Sequence, residues 1–411
     1  MKKFTYLLSA LALVLVSSCS EDKDNTPPPT PGLYESGIFY YGTTHEDLAF
    51  YDPAKSKFYP GNLFENKNEE TVGVDDGFNG GINSIYVYGD KIYLLTPTTS
   101  ETDDKAGLAR IAVVDAKTFE LKKSIYSAGF NTTTLGNIFN LMVVNENRFY
   151  VSSNESDWSE GTNDSKINVI KVDGTNFSVS TITGTSGALG VDGPHNANML
   201  KHRNYVLVGC GSKIKFIDTA TDRVDESKTI EADSGRQVLD ILKGRDGNIY
   251  AVVGGKIDGS YPYPNSYTTT ASVLKIDPLS YTFSSTDMSV DGGIVAVKGA
   301  YESTACASLT SDEIFMMQYA AWPDTPTKIY SFNYRTGTTT VFADVQFDTG
   351  YGFSKYMAAD KKGHLYVPAT NYSNVKPMVF DIATKQRNTD VEAKFNAEMK
   401  GDGGFVSTYM F

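Results

Sequence analysis

The sequence predicts an all-β fold, a seven-bladed β-propeller of four-stranded antiparallel blades. Two strand patterns recur along the chain, each of them seven times, and the chain ends in an alternating strand that has no partner of its own. The repeats are spaced by 45 to 63 residues. A four-stranded unit of this size buries both of its faces only against neighbouring copies, which favours a closed ring of blades.

The first pattern is an alternating apolar strand that ends in Asp or Asn and is followed by a turn and a polar strand. An Asp or Asn at this point ends the strand because its side chain accepts hydrogen bonds from the backbone of the turn that follows. The seven strand ends are Asp52, Asp115, Asp173, Asp218, Asp277, Asn333 and Asp381.

The second pattern lies upstream of the first and is a strand opened by a short polar turn, as hairpins require. Its seven instances are GIFYYG, GDKIYLLT, ENRFYVSS, HRNYVLVG, DGNIYAVV, SDEIFMMQ and KGHLYVPA. In the best-defined repeat, four strands follow one another over residues 141–145, 148–153, 167–173 and 177–184. We call the four strands of a blade a to d, from the propeller axis outward.

Both ends of the chain are expected to close the ring. The first repeat supplies strands b, c and d between Gly37 and about Phe64 but no strand a, and residues 403–411 form a strand without a partner. We therefore place residues 403–411 as strand a of blade one. Residues 391–400 fit either one helical turn or the last outer strand.

The first residues have the pattern of a bacterial lipoprotein signal peptide. Lys2 and Lys3 precede a ten-residue apolar run, Leu7 to Val16, which is too short to span a bilayer as a helix. The sequence Val-Ser-Ser-Cys that ends at Cys19 resembles a lipobox. Residues 1–18 are therefore predicted to be the signal peptide, and Cys19 is predicted to carry the lipid.

The segment after the lipid anchor predicts a tether. Residues 19–32 contain an acidic patch and a proline run that favours extended polyproline II. The acidic patch resembles the surface-export signal of Bacteroidota lipoproteins. We expect residues 33–411 to form the propeller, attached to the outer membrane through the N-terminal lipid alone and facing the exterior.

Composition restricts the partners. The net charge is −12, and no cluster of lysine or arginine is present, which argues against nucleic acid as a partner. Nothing in the sequence calls for an oligomer, so we expect a monomer. Cys210 and Cys306 are interpreted as buried thiols, with one disulfide as the alternative.

Strand order brings certain loops together on one face. In a blade running from a to d, the b–c loops and the d–a connections emerge on the same face, and here they are the long and irregular segments, rich in aromatic and acidic residues. Aromatic faces beside polar groups suit a flat, partly polar ligand. The candidate ligand-binding residues are Phe78, Trp158, His195, Tyr261, Tyr263, Tyr267, Trp322, Tyr351, Phe353 and Tyr372.

No catalytic motif accompanies these loops. The four histidines form no H-x-x-x-H pair, and the sequence has neither a C-x-x-C pair nor a G-x-S-x-G elbow. We therefore predict a protein without catalytic residues, cofactor or metal. One alternative is an axial calcium ion, as in lactonase propellers, held by Asp76, Asp192, Asp291 and Asp348.

The repeats resemble a known family. The segments YGDKIYLLT…ARIAVVDAKTFELKKSI and GNIYAVV…VLKIDP are similar to the YncE-like propellers, in particular to the BtuG-type surface lipoproteins of Bacteroidota. The resemblance covers residues 33–411 and implies capture of cobalamin for a TonB-dependent transporter. Its motifs belong to strands and turns, which specify the scaffold and not the ligand.

Three hypotheses for function follow. The preferred one is a non-catalytic surface lipoprotein that binds a small-molecule nutrient (a corrinoid, siderophore, haem or glycan) for an outer-membrane TonB-dependent transporter. The second is a protein–protein adaptor in the cell envelope, in which the loop aromatics anchor an interface. The third is a metal-dependent hydrolase.

Overall fold

The computed structural model shows seven small antiparallel sheets that follow one another along the chain. Within the described part of the chain, no helix is both long and apolar enough to cross a membrane. The structure describes residues 37–42, 48–59, 63–64, 67–68, 82, 84–96, 110–126, 137–157, 162–174, 176–188, 191–194, 199–233, 235–258, 266–288, 305–317, 328–344, 357–371, 374–398 and 403–407.

The first four blades contain strands β1 to β17. Strands a to d are hydrogen-bonded in that order in each sheet, and short additional strands join the outer part of blades three and four. The bounds are β1 (Ile38–Gly42), β2 (Leu48–Asp52) and β3 (Lys57–Tyr59) in blade one; β4 (Ser84–Tyr88), β5 (Lys91–Thr96), β6 (Arg110–Asp115) and β7 (Leu121–Tyr126) in blade two; β8 (Asn137–Asn145), β9 (Arg148–Asp157), β10 (Thr162–Asp173), β11 (Asn176–Thr181) and β12 (Gly187–Ala188) in blade three; and β13 (Leu200–His202), β14 (Tyr205–Cys210), β15 (Lys213–Asp218), β16 (Arg223–Val224) and β17 (Ile230–Glu231) in blade four.

The last three blades contain β18 to β30, and the C-terminal strand is β31. Blade five has a small extra hairpin, β20–β21, between its strands b and c. The bounds are β18 (Val238–Lys243), β19 (Ile249–Val253), β20 (Ile257–Asp258), β21 (Ser266–Tyr267), β22 (Ser272–Ile276) and β23 (Phe283–Asp287); β24 (Ala305–Ala307), β25 (Glu313–Met317), β26 (Lys328–Asn333) and β27 (Thr338–Asp344); β28 (Ala358–Ala359), β29 (His364–Asn371), β30 (Asn374–Asp381) and helix α1 (Thr389–Glu398); and β31 (Gly403–Ser407).

The two ends of the chain meet in blade one, as the sequence predicts. Strand β31 pairs with β1 in antiparallel register, from Ile38 opposite Ser407 to Gly42 opposite Gly403. It is the innermost strand of a sheet in the order β3-β2-β1-β31. The ring is therefore closed by backbone hydrogen bonds between the first and the last strands of the propeller.

The core lies between the blades. Seven clusters of buried apolar side chains form among the described residues, and each joins two successive blades. One residue from each of the two blades in every cluster, in order around the ring, is Phe39 and Ile85, Tyr93 and Phe149, Tyr150 and Val206, Phe216 and Ile249, Tyr250 and Ile314, Phe315 and Leu365, and Tyr366 and Tyr51.

The turn between strands c and d has one recurring geometry. In blade two, Asp115 Oδ1 accepts hydrogen bonds from the backbone N–H groups of Lys117 (2.9 Å) and Thr118 (3.0 Å), and Phe119 has a φ of 64°. The same side-chain bond occurs at Asp52, Asp218, Asp277, Asn333 and Asp381. The residue four positions after each of these side chains has positive φ, namely Ser56, Asp222, Tyr281, Gly337 and Lys385.

Blade seven differs from the others in its outer layer. Its described sheet has three strands, β28-β29-β30, and α1 packs beside β30. Val379 N–H donates to Glu392 Oε1 at 3.0 Å, and Asn388 N–H donates to Val379 C=O at 2.7 Å. Of the two alternatives for residues 391–400, the helix is the observed one over its described part. Its Phe395 contacts Tyr51, with 5.4 Å between ring centroids.

The two cysteines after the predicted anchor are free and buried. Burial raises the pKa of Cys210 to about 12 and that of Cys306 to about 12, because an apolar environment disfavours the thiolate. The interpretation as buried thiols is therefore the one that the structure supports, and no disulfide joins them.

Candidate functional site

The predicted face is the end of the sheets at which strands b finish and strands c begin, and we call it the upper face. In blade three, strands b and c continue beyond the sheet. Asn154 is the last residue of β9 opposite β8, where it faces Asn137, whereas Asp157 still pairs with Thr162 of β10. Three further residues of β9 project past strand a, a distance of about 10 Å at the usual rise of a strand. Trp158 follows Asp157 and lies outside the described residues.

Blade five carries a second extension of its b–c connection. Ile257 pairs with Tyr267 in the β20–β21 hairpin. Its base is held by Thr268 N–H, which donates to Lys256 C=O at 2.7 Å, and by Lys256 N–H, which donates to Thr269 Oγ1 at 2.9 Å. The hairpin is therefore a folded part of the upper face, and the loop at its tip contains Tyr261 and Tyr263.

Blade seven extends in the same direction. Strands β29 and β30 pair over their full length, and Asn371 lies opposite Asn374, which leaves a two-residue connection. Among the described residues, strand β28 pairs only with Leu365 and Tyr366, near the other end of β29. Tyr372, in the connection, is outside the described residues.

A buried arginine supports the blade-five hairpin. Arg236 Nη1 donates to Thr270 C=O at 2.9 Å and to Ser272 Oγ at 3.3 Å, and its Nη2 lies 3.6 Å from Asp287 Oδ1. The side chain is 9% exposed. Long-range contacts of this kind leave no local signature, and the sequence analysis did not identify Arg236.

The connection from blade three to blade four is held tightly. Gly193 N–H donates to Ala188 C=O at 2.9 Å, and Gly211 N–H donates to Gly193 C=O at 3.1 Å. Gly211 has a φ of 57°, and a Cβ atom there would lie 1.8 Å from the carbonyl oxygen of Val191. This position therefore requires glycine. The predicted residue His195 follows the connection and lies outside the described residues.

Blade three also carries a buried polar layer just below its extension. Asn168 Nδ2 donates to Ser153 Oγ at 2.8 Å, and Thr181 Oγ1 donates to Asn168 Oδ1 at 2.9 Å. Asn154 is also fully buried, but neither of its amide atoms has a hydrogen-bond partner among the described residues. The sequence signal for this layer is the change from apolar to polar residues at the end of strand b, in RFYVSSN.

The structure describes one of the ten predicted ligand-binding residues, Tyr267, whose backbone lies in β21. The extended b–c hairpins of blades three, five and seven end in connections that contain four of the other nine predicted residues. Whether the ten side chains come together stays a prediction, as does lipidation of Cys19, which is also outside the described residues. The remaining nine are Phe78, Trp158, His195, Tyr261, Tyr263, Trp322, Tyr351, Phe353 and Tyr372.

Two of the four histidines are described, and both lie beside the a–b turns of their blades, away from the upper face. His202 Nε2 lies 2.9 Å from Pro278 C=O, and His364 Nδ1 lies 2.8 Å from Asp360 Oδ2. The bond to Asp360 raises the pKa of His364.

The calcium alternative is tested only in part. Asp192 is described and exposed. Among the described residues, no group of three or more histidine, cysteine, aspartate or glutamate side chains is arranged to hold a metal ion. Asp76, Asp291 and Asp348 lie outside that part of the chain.

The chain matches a known family model and several solved structures. Residues 39–359 match the model of DUF5074, described as a domain of unknown function. A protein from Lactobacillus plantarum has 10% identity and a TM-score of 0.52, over 86% of this chain and 94% of that one. This likeness supports the fold alone. A protein of unknown function from Bacteroides caccae has 7% identity and a TM-score of 0.42, over 78% of this chain and 97% of that one. No curated protein sequence matches the chain.

Proposed function

The chain belongs to the DUF5074 family of domains of unknown function, and we propose that it is a non-catalytic capture protein of the cell surface. Its upper face would bind a small-molecule nutrient and deliver it to an outer-membrane TonB-dependent transporter. The candidate nutrients are a corrinoid, a siderophore, haem or a glycan.

The observation that carries the proposal is the extension of three b–c connections on one face. The β9–β10, β20–β21 and β29–β30 hairpins all continue past their blade sheets in the same direction. In the sequence, the connections at their tips hold Trp158, Tyr261, Tyr263 and Tyr372. Binding residues concentrate on loops that a rigid scaffold positions, and the closed ring of blades is such a scaffold.

The chemistry of these connections favours a flat ligand with polar edges. Aromatic faces stack on conjugated rings or on the apolar faces of sugars, and nearby amides and carboxylates fix the orientation. The blade-three extension contributes Glu155 and Asp157 to the strand that leads to Trp158. The resemblance to BtuG-type lipoproteins supports a corrinoid among the four candidates.

The predicted lipid anchor supports the location. A diacylated Cys19, followed by a proline-rich segment, would hold the propeller at a membrane surface without a spanning helix. Capture for a transporter requires such a position, because the ligand must pass directly between the two proteins.

Tryptophan fluorescence tests the proposal, because the chain has only two tryptophans and both are predicted to lie in upper-face connections. The protein with Cys19→Ser, which cannot be lipidated, is titrated with cyanocobalamin, haemin, ferric enterobactin and a panel of oligosaccharides. We expect one class to quench the fluorescence saturably. We expect Trp158→Ala or Trp322→Ala to weaken that binding, measured by calorimetry, about tenfold or more, as for other buried aromatic anchors.

The control is Val341→Ala, which removes part of an exposed apolar side chain from the outer strand of blade six. It should leave this affinity unchanged. Binding that is equally tight in both tryptophan variants would show that the site lies elsewhere. If none of the four classes binds, capture is contradicted and the adaptor hypothesis is favoured.

A further inference from the structure

A groove on the rim of the propeller separates the outer strand of blade four from blade five. The outer strand is interrupted between β16 and β17 by a short 3₁₀ helix, Glu226–Lys228. The groove has a volume of about 460 Å³ and runs between this helix and the c–d turn of blade five at Tyr281. Ligand pockets for small molecules begin at about 300 Å³, so the groove is large enough for one.

The wall formed by the helix is fixed in place by Asp225. Its Oδ1 accepts hydrogen bonds from Ser227 N–H at 3.2 Å and Ser227 Oγ at 2.6 Å, and its Oδ2 accepts one from Tyr205 Oη at 3.0 Å. The bond from Ser227 holds the pKa of Asp225 below its usual value, so this cap is ionised at neutral pH. The groove is therefore a formed feature of the blade and not a gap between loose turns.

A single cation overhangs the groove. Lys228 Nζ lies 5.3 Å from the ring centroid of Tyr281 and 5.6 Å from that of Tyr205, which is cation–π distance. Within the described residues it forms no ion pair with a carboxylate. The ammonium is therefore held above two aromatic rings, with the carboxylate of Asp225 close enough to interact with its charge but not to form an ion pair.

The other wall is apolar and exposed. Phe283 begins the outer strand of blade five and lines the groove with 47% of its surface accessible, a large fraction for a phenylalanine. Ile230 lines the side toward blade four. A cation that forms no ion pair within the described residues, beside an exposed aromatic wall, is complementary to a ligand that carries an anionic group on a flat apolar body.

We propose that this groove is a second binding site, separate from the upper face, for a small aromatic anion. The aromatic body of the ligand packs against Phe283 and Tyr281, and its carboxylate or sulfonate pairs with Lys228. The pairing replaces water around an ammonium that already lies over aromatic rings, so it is stronger than a fully solvated surface pair. The inference does not depend on the proposed function.

Two fluorescent probes with the same apolar body test the proposal. The first is 8-anilinonaphthalene-1-sulfonate, which carries an anionic group, and the second is the neutral N-phenyl-1-naphthylamine. We expect the sulfonate to bind at one saturable site of the Cys19→Ser protein. Lys228→Gln should weaken it about tenfold, the value of one charge-assisted bond, and should leave the neutral probe unaffected.

Phe283→Ser should weaken both probes, because it removes the apolar wall. The matched control is Lys57→Gln, since Lys57 Nζ also lies over a tyrosine ring, 4.6 Å from the centroid of Tyr59, but does not line the groove. Equal sulfonate affinity in the wild type and Lys228→Gln overturns the proposal, as does an equal loss in Lys57→Gln or no saturable binding at all. Melting temperatures of the variants confirm that each remains folded.

Discussion

The imidazole Nδ1 of His364 lies 2.8 Å from Oδ2 of Asp360, a carboxylate that is completely buried in blade seven. Asp360 also accepts hydrogen bonds from Tyr366 Oη at 2.8 Å and from the backbone N–H of Lys362 at 2.9 Å. Burial alone would favour the neutral acid, but these bonds, with that from His364 the strongest, hold the pKa of Asp360 below its usual value. A charged pair therefore links the a–b turn to strand b.

This pair predicts a pH dependence of stability. The pKa of His364 is raised in the folded protein by its bond to Asp360, so its contribution is complete below the ordinary histidine pKa of about 6.5 and is lost as pH rises through the folded value. We expect His364→Asn to lower the free energy of unfolding by about 1–3 kcal/mol at pH 5.5 and by less at pH 9. Urea unfolding at both pH values measures the difference.

The contribution of Asp360 to the free energy of unfolding changes with pH in the opposite direction. The pKa of Asp360 is lowered, so its contribution is complete above about pH 4 and is lost as pH falls through the folded value. His202→Asn is the control, because the partner of His202 is the uncharged carbonyl of Pro278. A cost of His364→Asn that is the same at pH 5.5 and pH 9 would contradict a charged pair.

Ring closure predicts that the C-terminal strand is essential for stability. Deletion of residues 403–411 removes β31 and leaves the backbone of β1 without its inner partner from Ile38 to Gly42. We expect a decrease in melting temperature of about 10 °C or more, since a loss of about 1 kcal/mol in the free energy of unfolding already lowers the melting temperature of a domain by several degrees. Deletion of residues 20–32, the predicted tether, should leave the melting temperature unchanged. If the protein without residues 403–411 has the same melting temperature as the wild type, β31 does not hold the ring together.

The recurring c–d turn predicts a stabilising substitution. Lys385 is exposed and has a φ of 59°, a region that costs an L-residue about 1–2 kcal/mol, whereas blade six has Gly337 at the same position of its turn. Lys385→Gly should raise the free energy of unfolding by up to about 1 kcal/mol, and Gly337→Lys should lower it by a similar amount. Denaturant titration of both variants tests the pair. If both substitutions change the free energy of unfolding in the same direction, the shared geometry of the two c–d turns is contradicted.

The polar layer of blade three predicts opposite effects for two buried asparagines. Within the part of the chain that the structure describes, Asn154 has no hydrogen-bond partner at either amide atom, whereas Asn168 is bonded to Ser153 and Thr181. An unpaired buried polar group costs about 1–3 kcal/mol. Asn154→Leu, nearly equal in shape, should therefore raise the free energy of unfolding, and Asn168→Leu should lower it. Equal losses in the two variants would show that Asn154 has a bound-water partner.

Much of the scaffold was predictable because its determinants are local and repeated. In six of the seven repeats, the Asp or Asn that ends strand c accepts a hydrogen bond from the backbone N–H two or three residues later, a contact that depends on one repeat alone. The outer layer of blade seven was not predictable, because residues 391–400 are compatible with helix or strand. Packing of Phe395 against Tyr51 of blade one is a long-range contact that favours the helix.

The sequence by itself determined the number of blades, their strand order and the closure by the last strand, since a repeated pattern with an unpaired terminal strand admits one ring. Only the tertiary structure decided that Arg236 supports a hairpin and that Asn154 is buried with no hydrogen-bond partner among the described residues. It also decided that Lys228 overhangs two rings of different blades. Each of these depends on residues brought together from separate strands, turns or blades, and the packing of a ring, not the local pattern of any repeat, sets those distances.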